Sequence, residues 1–92
     1  MKNYPVIHPE LTWRLLDGEA VIVSPTSGEI RVLNHVGTKI WQLIVDTHTV
    51  EEIEQALVNQ YGLSPQQANA DVSAFIEDLL DRGLVIWKSP VQ

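Results

Sequence analysis

Three histidines, twelve acidic side chains and no cysteine make up the reactive inventory of this 92-residue chain. Without cysteine there is no thiolate nucleophile, no disulfide and no zinc site built on thiolates. His8, His35 and His48 are too scattered for HxxxH or HExxH ligand spacing, so they suggest no metal site. Neither GxSxG, GxGxxG nor GxxxxGK[ST] occurs, so the sequence offers no nucleophile elbow and no phosphate cradle. Ser24, Ser27, Ser64, Ser73 and Ser89 all fit turns, caps or surface. Asp71, Asp78 and Asp81 fall on roughly one side of a helical stretch, where they could meet a cation. A solvated polar face is the simpler account of them. Glu51, Glu52 and Glu54 suit the positive end of a helix dipole. No catalytic residue, metal or cofactor is expected.

Three tryptophans can serve as core or as interface anchors. Trp41 lies one step off the apolar stripe of its helix and Trp87 lies near the chain end, so these two are the interface candidates.

Twelve acids against six bases give a net charge of −6. Such a surface opposes phosphate backbones and anionic headgroups, which argues against nucleic acid and membrane as partners. No apolar run approaches the ~20 residues needed to span a bilayer, and Met1–Pro9 lacks the basic-then-apolar pattern of a signal peptide. A cytoplasmic protein with one small domain is expected.

The elements follow from periodicity and punctuation. Residues 1–10, with Pro5 and Pro9, form an extended arm. Thr12–Leu16, the Asp17-Gly18 turn, Glu19–Ser24, the Pro25–Gly28 turn and Glu29–Leu33 make a three-stranded antiparallel meander. Its central strand carries apolar residues on both faces, which calls for at least partial cover on both. Asn34 caps a helix with Val36, Ile40, Leu43 and Ile44 on its stripe. Thr49 and Glu52 form a capping box for a second helix that buries Ile53, Ala56 and Leu57 and stops at Gly62. Ser64 and Pro65 start a third helix whose apolar face is Ala68, Val72, Phe75, Ile76, Leu79 and Leu80, ending at Gly83. Leu84–Trp87 is a short strand or a tail packed on the sheet. The fold class is therefore α+β, a three-stranded antiparallel sheet followed by three helices, winged helix-turn-helix-like. The expected domain spans 12–88, between an arm at 1–11 and a tail at 89–92.

A helix-turn-helix shape invites a DNA reading, yet the third helix offers Gln66, Gln67 and Asn69 among Asp71, Glu77, Asp78 and Asp81, with Arg82 as its only base. Carboxylates there oppose phosphate. What remains is an interaction module. The edge strand Glu29–Leu33 presents unpaired backbone groups that invite an added strand, unless Glu29 and Arg31 merely blunt it. The rivals are a winged-helix transcription regulator and a small oligomerisation or scaffold module using Trp41 and Trp87.

Trp13 to Val85 resembles the PqqD-like family of peptide-recognition domains from ribosomally synthesised, post-translationally modified peptide pathways. The resemblance is carried by WRLLDGEAVIV, GEIRVLN, the TVEEI box and DVSAFIEDLLDRGLV, in order along most of the chain. It implies a non-catalytic module that binds the leader of a precursor peptide and presents it to a modifying enzyme, often a radical SAM enzyme. It further implies that the leader docks beside the third strand, Glu29, Ile30, Arg31, Val32 and Leu33. The other wall would be the third helix, through Val72, Phe75, Ile76 and Leu79, with Asp78 at the rim. The family contains free-standing and fused members, and this chain reads as free-standing. The GEIRVLN stretch lacks the aromatic pair of many lasso-type members, which points away from that subgroup. Some relatives are swapped dimers, and the short hinges at Asp17-Gly18 and Pro25–Gly28 permit a homodimer of that kind. The acidity adds an expectation of basic residues in the peptide, or on the enzyme's docking face, near Asp71, Asp78 and Asp81.

Overall fold

Asp17 and Gly18 both have positive φ, 54° and 80°. That is the backbone of a two-residue hairpin turn whose twist matches the strands it joins. It sets Leu16 opposite Glu19 and fixes the register of β2 (Thr12–Leu16) with β3 (Glu19–Val23). The Pro25–Gly28 turn closes with Gly28 N–H donating to Ser24 O at 3.1 Å, and β4 (Ile30–Val32) returns antiparallel to β3. The order β2-β3-β4 leaves β3 central. The structure is a computed structural model that describes residues 4–88; residues 1–3 of the expected arm and all of the expected tail lie outside that span.

The helix starts follow the capping chemistry in the sequence. Asn34 Oδ1 accepts from Gly37 N–H at 2.8 Å and opens α1 (His35–Val45). Thr49 and Glu52 form the reciprocal box of α2 (Val50–Tyr61), which ends at Gly62 with φ 68°. Ser64 Oγ accepts from Gln67 N–H at 3.1 Å, with Pro65 in the first turn of α3 (Pro65–Asp81). No helix among the described residues is long and apolar enough to cross a membrane.

One face of the meander and one face of each helix meet in a single core. Ala20 and Ile22 from β3 pack with Ile40, Trp41 and Ile44 of α1, Ile53 and Leu57 of α2, and Ala68, Val72, Ile76 and Leu79 of α3. The opposite face of β3, Val21 and Val23, is half-buried, and its neighbours Leu16, Ile30 and Val32 are exposed. The expected cover on both faces is thus complete on one side only.

Of the two expectations for Leu84–Trp87, the short strand is the one observed, but it does not join the meander. Val85–Lys88 forms β5 and pairs with β1 (Tyr4–Ile7) in a separate two-stranded sheet, so four residues of the arm are strand and His8–Leu11 are not. Proline is tolerated there for a geometric reason. His8 N–H donates to Leu84 O at 2.9 Å, and antiparallel pairs alternate between bonded and non-bonded. Pro5, opposite Trp87, falls at a non-bonded position, so its missing N–H removes no ladder bond.

Trp41 is not an interface residue. It is fully buried and meets Trp13 edge to face, with ring centroids 6.0 Å apart at 79°. α1 packs against β1, β3 and α2. Its buried surface is therefore wider than the four-residue stripe suggested by spacing.

Candidate functional site

Antiparallel hydrogen-bond parity decides which groups of β4 face outward. Ser24 N–H donates to Glu29 O at 2.9 Å, and Leu33 N–H donates to Ala20 O at 2.9 Å. Residues 29, 31 and 33 therefore turn their backbone groups toward β3, and Ile30 and Val32 turn theirs toward the free edge. Side chains obey the same alternation. Arg31 and Leu33 face the helices, while Ile30 and Val32 stand on the outer face of the sheet, 66% and 59% exposed.

Beside this edge runs a groove of ≈ 590 Å³ between β4, the first turn of α1 and α3. Val32, Leu33, Val36 and Ile40 line it from one side, and Asp71, Ala74, Phe75 and Asp78 from α3. Gly37 lets the two walls approach. A Cβ there would lie 3.2 Å from Phe75 Cε1 and 3.2 Å from Asn34 Oδ1. Thr38 anchors the end of β4 from below: its buried hydroxyl accepts from Ala20 N–H at 2.9 Å and donates to Leu33 O at 3.3 Å.

The charged end of the groove is a clasp. Arg31 Nη2 donates to Asp78 Oδ2, Arg82 Nε donates to Asp78 Oδ1 at 3.1 Å, and Arg82 Nη1 reaches Glu29 Oε1 at 3.3 Å. Four residues thus tie the edge strand to the end of α3. A second hollow of ≈ 310 Å³, lined by the Ser24–Glu29 turn, Arg31, Arg82 and Leu84, also borders this clasp.

The expected site residues separate into two groups. Glu29, Ile30, Arg31, Val32 and Leu33 form the edge, and Phe75 and Asp78 face the groove. Val72, Ile76 and Leu79 are at most 2% exposed and sit in the core rather than in the groove wall. The helix turns a neighbouring stripe, Asp71, Ala74, Phe75 and Asp78, to the groove because its most apolar stripe is taken by α2 and the sheet. Spacing alone missed Gly37, Ala74 and Thr38. Gly37 carried a signal, since glycine inside a helix costs about 1 kcal/mol relative to alanine and marks a close approach. The histidines stay apart: His8 Nδ1 accepts from Glu10 N–H at 3.1 Å, His48 lies 3.3 Å from Glu52, and His35 opens α1.

A family profile described as Coenzyme PQQ synthesis protein D (PqqD) matches residues 19–85. Among curated proteins none matches. Two solved structures are similar. One, described as lasso peptide synthetase B1 complexed with the leader peptide, is 26% identical with a TM-score of 0.82, covering 89% of this chain and 96% of its own. The other, TbiB1 in complex with the TbiA(beta) leader peptide, is 23% identical with a TM-score of 0.83, covering 95% and 99%. The first is a lasso-pathway protein, so the backbone likeness extends to that subgroup although the GEIRVLN stretch lacks its aromatic pair.

Proposed function

The chain belongs to the coenzyme PQQ synthesis protein D (PqqD) family, and from that premise we propose that it captures the leader segment of a ribosomal precursor peptide as an added strand on β4 and delivers it to a modifying enzyme. The observation that carries this reading is the pair of outward-facing backbone positions, Ile30 and Val32, directly beside a groove that can receive alternate side chains. Backbone hydrogen bonds align a strand with little sequence demand, and the pocket selects side chains. The similar lasso peptide synthetase B1 structure is described as holding a leader peptide, which supports the same use of this fold.

A disordered leader loses entropy on binding, so moderate affinity and ready release follow. Tethering it beside an enzyme raises its effective concentration at that active site. The chemistry resides in the enzyme, a radical SAM enzyme in the reading the family suggests. A radical SAM gene or a protease gene beside a short precursor gene distinguishes the pathway class.

DNA reading has little chemistry left to it. Gln67 Nε2 is held by Asp71 at 2.8 Å and Asn69 Nδ2 by Glu54 at 2.8 Å, so two of the polar side chains on α3 that a base reader would use are already engaged.

The test is an NMR titration with the leader half of the precursor encoded beside the chain's gene. Amide shifts are expected at residues 29–37 and 71–78. Unchanged shifts there, or a gel shift with duplex DNA at low salt, overturn the reading.

A further inference from the structure

The two carboxylates in the groove are not equivalent. Both oxygens of Asp78 are engaged, one by Arg31 and one by Arg82. Asp71 is half-buried in the groove wall, and among the described residues only Gln67 Nε2 donates to it, at Oδ1. The cations of the described residues lie elsewhere. Arg31 and Arg82 belong to the clasp. Lys39 lines the Trp13 side of α1, Arg14 stands opposite Val21 on the outer sheet face, and Lys88 ends β5. Beside Val36, Ile40, Ala74 and Phe75, Asp71 thus keeps a carboxylate oxygen that no cation among the described residues meets.

We propose that the captured strand carries a lysine or arginine two positions from an apolar residue, the apolar side chain lying on Phe75 and the basic one on Asp71. This rests on the strand-capture reading above. Phe75 and Asp71 are four residues apart on α3, a rise of about 6 Å. Side chains on one face of a strand recur every two residues, about 6.7 Å. α3 runs opposite to β4, since Asp78 pairs with Arg31 while Phe75 lies against Gly37, just past the end of the strand. A strand laid along β4 and continued past its end beside the first turn of α1 therefore brings successive inward side chains first to Phe75 and then to Asp71. Ile30 and Val32 fix only the backbone, so this two-point pattern selects sequence. The charge of −6 favours approach of a basic segment.

The probe is a phage-displayed library of random 12-residue peptides, selected on the full chain and on Asp71→Asn and Asp81→Asn variants. Selection on the wild type is expected to enrich an apolar residue two positions from Lys or Arg. Asp71→Asn loses the basic enrichment and keeps the apolar one; Asp81→Asn, which alters an exposed acid outside the groove, keeps both. A selected peptide should bind Asp71→Asn about tenfold more weakly. Replacing its basic residue by norleucine should weaken binding to the wild type and add little on Asp71→Asn. Equal basic enrichment on wild type and Asp71→Asn, or none on either, overturns the inference. Wild-type binders that hold Val32→Pro at full strength overturn strand capture itself, as does a selection yielding no binders.

Discussion

Arg31 on β4 and Asp78 on α3, 47 positions apart in the chain, close an ion pair that ties the free edge of the sheet to the third helix. Both side chains are about one-third exposed, 29% and 36%, so solvent screens them and the pair contributes no more than about 1 kcal/mol to folding. Because Asp78 also lines the groove, the pair is expected to act chiefly on groove width. Asp78→Asn and Arg31→Gln are each expected to lower stability by less than about 1 kcal/mol and to weaken peptide binding more than that loss accounts for. Chemical denaturation and calorimetric titration on the two single variants and the double variant check this; independent losses in the double variant would break the link between the pair.

Proline scanning separates the two sides of β4. Val32→Pro removes an edge N–H that bonds nothing in the sheet, so the fold survives while binding falls about fivefold, the value of one hydrogen bond of about 1 kcal/mol. Arg31→Pro removes an N–H turned toward Ile22 of β3 and should disrupt the meander. Circular dichroism melts beside binding isotherms distinguish the two; the opposite ranking would reverse the edge assignment.

Gly37→Ala gains helix propensity of up to about 1 kcal/mol but sets a methyl 3.2 Å from the Phe75 ring. Phe75 is half-buried and can move into the groove. Stability should stay within about 1 kcal/mol of the wild type while peptide affinity drops. Ring-proton shifts of Phe75 report the displacement, and unaltered shifts with unaltered affinity contradict it.

Trp41 fills the core, and its Nε1 has no hydrogen-bond partner among the described residues. Trp41→Ala should lose about 3 to 5 kcal/mol, a large share of the stability of so small a domain. Thermal melts test this; a fully stable variant that merely changed oligomeric mass would return Trp41 to an interface.

Glu52 is held below the usual carboxylate range, first because Thr49 N–H donates to it at 2.8 Å and further by neighbouring His48. A depressed acid stabilises the fold above its ordinary value, and that contribution is lost as pH falls through the lowered one. Glu52→Gln keeps an acceptor for Thr49 but cannot titrate. Denaturation midpoints between neutral and acid pH should fall less steeply in Glu52→Gln than in the wild type.

The sequence by itself determined the local punctuation and the strand pairing of the meander. Asn34, Thr49 and Ser64 cap helices, and Asp17-Gly18 sets a hairpin, because these depend on atoms within a few residues. The short turns joining three successive strands likewise placed Glu29–Leu33 on an edge, and the order of those pieces along the chain carried the family likeness. Tertiary structure decided which face of each element meets which neighbour. α3 is apolar on more than one stripe, and the packing of α2, β5 and the core face of the meander buries Val72, Ile76 and Leu79 and leaves Asp71, Phe75 and Asp78 to the groove. The partnership of β1 with β5, the one strand pairing outside the meander among the described residues, the burial of Trp41 and the Arg31–Asp78 pair join residues far apart in sequence. No local propensity reports such contacts, since they exist only once the chain has closed on itself.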